Sequence, residues 1–261
     1  MAVKERKVGK VVAIIQARVG STRLPRKVQK SIAGRPMLWH VIERVKRAKL
    51  VDEVVLATTS KEEDKPLLDL AKESGIKGYA GSDEDVLDRY FQAATQFGAD
   101  VIVRITADCP LIDPEIIDKV VKHFLDGDFD YVTNTLKPTY PDGLDVEVFS
   151  YEALRKAWEE ARMASEREHV TPYIRKHPEL FRFRNVEHEK DLSSMRWCVD
   201  TEKDLEFVRE IYKRLYGKGK IFGMREVLNL LEKHPELMEM NKGIARNEGY
   251  AKSLREDRVV R

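Results

Sequence analysis

Three short, unbroken apolar runs recur along the first hundred or so residues: Val11-Val12-Ala13-Ile14-Ile15-Gln16, Glu53-Val54-Val55-Leu56-Ala57-Thr58 and Asp100-Val101-Ile102-Val103-Arg104-Ile105. Each is rich in β-branched residues and shorter than an ordinary helix. That is the pattern of a strand buried on both faces. Helical patterns lie between them. Pro36 suits the first turn of a helix carrying Met37, Leu38, Val41, Ile42 and Val45. A second helix from Asp64 to Ser74 is stopped by Gly75, and a third, capped by Asp83 or Asp85, carries Val86, Leu87, Tyr90, Phe91 and Ala94. Asp113-Pro114-Glu115 opens a fourth that runs to about Leu125. Alternation of this kind implies right-handed crossovers and an α/β fold whose mostly parallel central sheet is covered by helices on both faces.

From Asp130 the rhythm changes. Tyr131-Val132-Thr133 reads as a strand, residues 138–143 as a turn-rich loop, and Asp145-Val146-Glu147-Val148-Phe149 as a strictly alternating strand. Helices are expected over 151–162 and 166–176, and strands over 181–186 and 195–199. Thr201, with Asp204 as its capping-box partner, opens a helix to Leu215, and another spans 223–233. The mixture points to a mixed end of the sheet. The polar, basic tail 236–261 is expected to pack over the surface or a partner subunit, or to be partly disordered.

Composition narrows the function classes. Apolar residues are 42% of 261, enough for a core, while the 35% charged residues nearly balance to a formal net charge of +2. That balance is not the field of a nucleic-acid-binding chain. No stretch approaches the roughly 20 apolar residues of a membrane span. The basic start, Lys4-Glu5-Arg6-Lys7, leads through a short apolar run into an Arg-rich loop and not into a cleavage site. Two cysteines, Cys109 and Cys198, do not make a disulfide framework. A reducing cytoplasm is therefore expected.

The loop after the first apolar run is the first candidate for chemistry, because ligands of open α/β sheets bind beyond the carboxyl ends of the strands. It offers Arg18, Arg23, Arg26 and Lys27 within ten residues, with Gly20 and Ser21 between them. Arginines give forked hydrogen bonds to phosphate oxygens and lysine a point charge, and glycine lets the backbone approach. The set suits a polyphosphate, although a solvated basic loop would carry the same charges. It lacks the Gly-Lys-Ser/Thr ending of a P-loop and the Gly-x-Gly-x-x-Gly of a dinucleotide site.

Gln16-Ala17-Arg18-Val19-Gly20-Ser21-Thr22-Arg23-Leu24-Pro25-Arg26-Lys27, followed by Ile32-Ala33-Gly34-Arg35-Pro36-Met37, resembles the signature of the cytidylyltransferases that activate acidic sugars, the CMP-Kdo and CMP-sialate synthetases. The likeness is to their SpsF-type branch, named for spore-coat polysaccharide biosynthesis, and it runs with gaps from about Val11 to Leu215. It implies a GT-A-like nucleotidyltransferase fold over 1–235, with 133–190 as an acceptor cap or dimerisation region and 236–261 as a tail. It also implies a homodimer, Mg²⁺ dependence, and a nucleoside triphosphate, CTP, as donor. Gln16, Ala17, Arg18, Gly20, Ser21, Arg23 and Lys27 are then the nucleotide-binding set.

Asp108 lies just past one buried run, in Thr106-Ala107-Asp108-Cys109-Pro110-Leu111, and Asp200 just past another, in Trp197-Cys198-Val199-Asp200-Thr201. Two carboxylates facing a triphosphate call for an intervening cation. Mg²⁺ commonly takes one or two carboxylates together with phosphates and waters. Either aspartate also suits a cap or turn. The resemblance agrees with the metal reading, since the family's matching segments supply metal-binding aspartates. The two cysteines, with no histidine near, read as packing residues and not as zinc ligands.

The middle of the chain is less decisive. Ser82, in Gly81-Ser82-Asp83-Glu84-Asp85, is a candidate contact to base or ribose, with Arg89 paired inward; the same stretch also reads as a plain cap. This segment departs from the CMP-Kdo synthetases and follows the SpsF-type pattern, which bears on the sugar and on the base. Asp145 and Glu147, read as one strand face, and His169 are candidates for holding sugar hydroxyls or accepting a proton. Each also has an ordinary reading, a wet strand face or a structural histidine. The expected reaction is attack by a sugar hydroxyl on the α-phosphate with loss of pyrophosphate, with Arg18, Lys27, Asp108 and Asp200 as the catalytic set. A GT-A glycosyltransferase and a non-catalytic nucleotide-binding module are the alternatives. The first has less need of the basic loop, and retention of both aspartates tells against the second.

Overall fold

The computed structural model describes residues 9–21, 23–217 and 220–261. Lys4-Glu5-Arg6-Lys7 and Thr22 of the basic loop lie outside the described residues. The strands are β1 (Val11–Gln16), β2 (Ser31–Ile32), β3 (Arg35–Pro36), β4 (Glu53–Thr59), β5 (Lys77–Gly81), β6 (Val101–Thr106), β7 (Tyr131–Thr133), β8 (Glu147–Ser150) and β9 (Phe183–Asn185). The helices are α1 (Met37–Val45), α2 (Lys65–Glu73), α3 (Val86–Gln96), α4 (Pro114–Asp126), α5 (Tyr151–Glu160), α6 (Ala164–His169), α7 (Pro172–Lys176), α8 (Glu202–Leu215), α9 (Met224–Lys233) and α10 (Glu248–Arg255).

Seven strands form one sheet in the order β5-β4-β1-β6-β8-β7-β9, and β2 and β3 pair as a small separate ribbon. Pairing is parallel across β5, β4, β1 and β6, antiparallel where β8 meets β6 and β7, and parallel again between β7 and β9. The three apolar runs are thus the adjacent central strands β4, β1 and β6. One face of the sheet is covered by α1, α2, α4, α8 and α9, which bury Leu38, Val41, Leu67, Ile117, Val120, Val208 and Val227 against it. The other is covered by α3, α5 and α7 through Leu87, Tyr90, Leu154 and Ile174. Among the described residues no helix is long and apolar enough to cross a membrane.

Local signals act where the residues place them. Asp85, not Asp83, caps α3 by accepting from the Asp88 amide at 2.9 Å. Thr201 and Asp204 form the capping box of α8. Gly75 ends α2 with φ +71°. Four expectations differ. The helix expected over 166–176 is two, α6 and α7, because Pro172 lacks the amide a continuous helix needs, and Val170 breaks the chain with φ 72°. The segment 195–199 is extended but makes only the isolated bridge Asp142↔Arg196. Its backbone bonds go to loops: the Trp197 amide to the Asp142 carbonyl at 2.6 Å and the Val199 amide to that of Asp108 at 2.8 Å. The strand expected from Asp145 starts at Glu147, because buried Asn134 holds the Val146 amide at 2.9 Å and the Leu144 carbonyl at 2.7 Å. Asp145 and Glu147 therefore do not share a strand face. The strand expected over 181–186 is shortened to β9.

The segment after α9 turns through a 3₁₀ helix, Pro235–Glu239, and α10, and lies back across the carboxyl edge of the sheet.

Candidate active site

The chain leaves β1 for β4 on one side and later returns to β6 on the other, so the order of the sheet reverses between β1 and β6. Such switch points open a crevice beyond the strand ends. Here the crevice is a cavity of about 1220 Å³ walled by Gln16, Ala17, Arg18, Gly20, Ser21, Arg23 and Lys27 and by Asp108, His169 and Asp200. A smaller chamber of about 280 Å³ shares Gln16, Arg23, Asp108, His169 and Asp200 with it and is further lined by Asp145, Glu147 and Arg175.

The basic loop is fixed from below. Val19, Leu24 and Val28 are buried in the core, and the Ala17 amide donates to the Ala57 carbonyl of β4 at 3.1 Å. Asp64, 1% exposed, accepts the Val19 amide at 2.6 Å and the Thr59 hydroxyl. These ties leave the cationic side chains on the cavity side. Arg18 reaches to 3.5 Å from Asp83. Arg23 forks between Asp200 and Glu248, at 2.9 Å from each.

Lys27 sits at the centre of the charge cluster. Its ammonium donates to Asp108 at 3.0 Å, to Asp200 at 2.8 Å and to the Val199 carbonyl at 3.0 Å. Burial alone would lower its pKa, but the Asp108 and Asp200 carboxylates outweigh that and raise it. Asp108 moves the opposite way, held well below the ordinary carboxylate range by Lys27 despite its burial. The two aspartates are brought together by the Val199–Asp108 backbone bond and by Arg196. That guanidinium, 8% exposed, donates to Asp142, Asp200 and Asp204, each at 2.9 Å. Gly143 lets the 142–145 loop lie against this segment: its φ is +112°, and a Cβ there would stand 2.6 Å from the Trp197 carbonyl carbon.

The other sequence candidates fall into two groups. His169, at the end of α6, faces both cavities and lies 3.0 Å from the Ser253 hydroxyl; burial lowers its pKa to about 4, so it is neutral near pH 7. Asp145 lines the smaller chamber and is paired with Arg246, yet burial pushes its pKa up to about 7. Glu147 has both oxygens engaged, one by Arg104 and the other by Tyr131 at 2.5 Å and Thr171 at 2.6 Å. Burial would raise its pKa, and the Arg104 charge brings it below the usual value. Ser82 accepts the Asp85 amide at 3.0 Å on its hydroxyl and Arg89 at 2.9 Å on its carbonyl. The cavity wall there is formed by Val86 and buried Arg89, and Ser82 is not part of it.

A cytidylyltransferase family model matches residues 12–236. The chain belongs to the cytidylyltransferase family. It is 32% identical over 235 residues, 87% of this chain and 95% of the relative, to the spore coat polysaccharide biosynthesis protein SpsF of Bacillus subtilis. It is 40% identical over 118 residues, 42% of this chain and 44% of the relative, to 3-deoxy-manno-octulosonate cytidylyltransferase of Geobacter sulfurreducens. A solved cytidylyltransferase from Leptospira borgpetersenii superposes with a TM-score of 0.86 at 34% identity, covering 92% of this chain and all of that one (100%). The doubly covered, mostly parallel sheet is thus the nucleotidyltransferase fold, and the chain is a nucleotidyltransferase enzyme.

Several residues of this cytidylyltransferase site escape sequence reasoning. Asp64 reads as a helix start but carries the loop. Arg196 reads as one residue of a strand but orients Asp200. Arg104 and Arg175 point toward the smaller chamber, each with a buried Nε that has no hydrogen-bond partner. The only signals were charged residues inside otherwise apolar segments, as in Val103-Arg104-Ile105, where an unpaired charge would be costly. Arg246 and Glu248 lie in a stretch with no periodic pattern.

Proposed function

We propose that this cytidylyltransferase transfers CMP from CTP to a hydroxyl of an acidic sugar, with Mg²⁺ and release of pyrophosphate, in polysaccharide or glycoconjugate biosynthesis. The observation that carries the reading is the convergence of Arg18, Arg23 and Lys27 with Asp108 and Asp200 on one cavity at the switch point. The name of the 3-deoxy-manno-octulosonate cytidylyltransferase supports the donor and the kind of acceptor, and that of SpsF the polysaccharide setting; a homodimer in the cytoplasm belongs to the same proposal.

The donor set fits Mg²⁺. Asp108 and Asp200 are hard oxygen donors close enough to share one ammonium, at 3.0 and 2.8 Å, on the cavity wall. Among the described residues no group of three or more His, Cys, Asp or Glu forms a closed metal cage. One or two carboxylates with room for phosphates and water is what Mg²⁺ takes. Bound there, it would neutralise charge on the phosphates.

The chain's own residues supply the rest. Arg18, Arg23 and Lys27 hold the β- and γ-phosphates, and the backbone of Gly20 and Ser21 lines the nucleotide. The acceptor oxygen attacks the α-phosphorus in line, the bond to the β-phosphate breaks, and pyrophosphate leaves with the electron pair. The hydroxyl proton goes to a group in the smaller chamber. Asp145, with its pKa of about 7, is matched to that transfer, and neutral His169 stands beside it. Glu147, fully bonded to its neighbours, positions Arg104. The Arg104 and Arg175 guanidinium groups on the chamber wall suit an anionic acceptor.

Pyrophosphate release is the test, with CTP, Mg²⁺ and a panel of 3-deoxy-2-keto acids, 3-deoxy-manno-octulosonate among them. Release is expected with CTP, falling about 100-fold or more in Asp108→Asn and Asp200→Asn. Wild-type turnover in both variants would sink the metal assignment. Nucleoside diphosphate released from a sugar nucleotide would replace this reading with a glycosyltransferase.

A further inference from the structure

Residues beyond the matched family region cover the site. Asn241, 4% exposed, is the last buried anchor: its amide donates to the Arg196 carbonyl and to Asp204, both at 3.0 Å. The chain is fastened again at its far end. Asp257 accepts the Ser165 amide at 2.9 Å and hydroxyl at 2.7 Å. The segment around Val259 then bridges Met163, with the Ala164 amide donating to Arg258 and the Val260 amide to Arg162, both at 2.8 Å.

Between these two anchors the segment crosses both cavities. Asn247, Glu248, Gly249 and Tyr250 are part of the wall of the smaller chamber, while Arg246, Lys252 and Arg255 line the larger cavity beside it. Arg246 pairs with Asp145 inside, and Glu248 with Arg23 of the phosphate loop at 2.9 Å. The Tyr250 ring packs edge-on against His169, with centroids 5.0 Å apart, under the Arg175 guanidinium. Helix α10 itself buries none of its residues. The crossing is held by polar latches, and lifting it exposes little apolar surface. Segments of that kind open locally at low cost.

We propose that residues 242–261 are a strap that roofs the smaller chamber, anchored at 257–260 and latched by Arg246 and Glu248, and that this strap controls access to Asp145 and His169. The assignment of the chamber to the acceptor rests on the proposed reaction; the roof itself does not. Two reporters lie under it. Cys109 and Cys198, the chain's only two cysteines, are both buried and both line the chamber floor.

The test measures thiol labelling by a small neutral reagent in the full chain, without acceptor. The variant Arg246→Met/Glu248→Gln/Asp257→Ala removes both latches and a main anchor contact. It is expected to label Cys109 and Cys198 at least about tenfold faster than the wild type, and to be cut faster by trypsin at Lys252 and Arg255. Asp257→Ala alone, outside the site, is expected to show the same change in smaller degree with an unchanged circular dichroism spectrum. Wild-type labelling rates in both variants would overturn the strap. Nucleotide binding is read separately, by a CTP·Mg²⁺ thermal shift of the wild type. A missing shift there would remove the nucleotide reading and leave the strap standing.

Discussion

Removing the Lys27 ammonium should expose how the acidic floor of the site is held. In Lys27→Met the side-chain volume is kept and three contacts vanish: Asp108 at 3.0 Å, Asp200 at 2.8 Å and the Val199 carbonyl at 3.0 Å. Asp200 keeps Arg196 and Arg23, both at 2.9 Å. Asp108 keeps no cation within ion-pair distance among the described residues. Breaking a fully buried pair costs about 3–5 kcal/mol because one charge is left uncompensated. The Asp108 side chain is 30% exposed, so solvent reduces that figure to about 2–3 kcal/mol. For a chain of this size that is a fall in Tm of roughly 5–10 °C. The assay is thermal unfolding at pH 7.5, with two checks. Lys27→Met/Asp108→Asn should recover about half of the loss, since the stranded charge is gone. Mg²⁺ should raise the Tm of Lys27→Met more than that of the wild type, because a divalent cation substitutes for the missing ammonium. A Lys27→Met protein within 2 °C of wild type in about 1 mM chelator would refute the reasoning: it would mean the two carboxylates do not depend on this lysine for their charge balance.

Further outcomes follow from single residues. Asp145 is protonated up to about pH 7 in the fold against an ordinary value of 3.8, so the wild type loses stability as pH rises from about 4 to 7. That loss is at most about 4 kcal/mol, and less given the residual exposure of the side chain. Asp145→Asn should flatten this limb in denaturant titrations at several pH values, and parallel wild-type and variant curves would contradict it. Gly143→Ala should cost about 2–3 kcal/mol or more, because φ there is +112° and the new methyl meets the Trp197 backbone. A denaturant midpoint equal to wild type would show that the loop repacks freely.

The central sheet was legible because β1, β4 and β6 are buried on both faces and so read as unbroken apolar runs. Strand β5 was not foreseen, since Lys77-Gly78-Tyr79-Ala80-Gly81 is a mostly exposed edge with two glycines and no run to read. Helix caps at Asp85 and Thr201 acted locally and were visible. The break at Val170 depends on Pro172 and on tertiary packing around a strained residue, and the periodicity ran straight through it. In the site, the loop residues and the two aspartates stood out because they follow apolar runs directly. Arg196, Asp64 and Arg246 did not, because each also ties in a partner 45 or more residues away, Asp142, the Val19 amide and Asp145 respectively, and only the folded chain brings these together. Glu147 shows the converse. Its sequence pattern is that of a wet strand face, yet it is buried, with both oxygens engaged by Arg104, Tyr131 and Thr171.

The nucleotide claim is tested most directly by thermal shift of the full chain with each of the four nucleoside triphosphates, with and without Mg²⁺. A bound ligand at about 100 times its Kd stabilises the fold by about 2.7 kcal/mol. For this chain length that is a rise of roughly 5–10 °C. The account predicts that rise with CTP and Mg²⁺, a smaller one without the metal, and its loss in Asp108→Asn and in Arg23→Met. No shift with any of the four would contradict it.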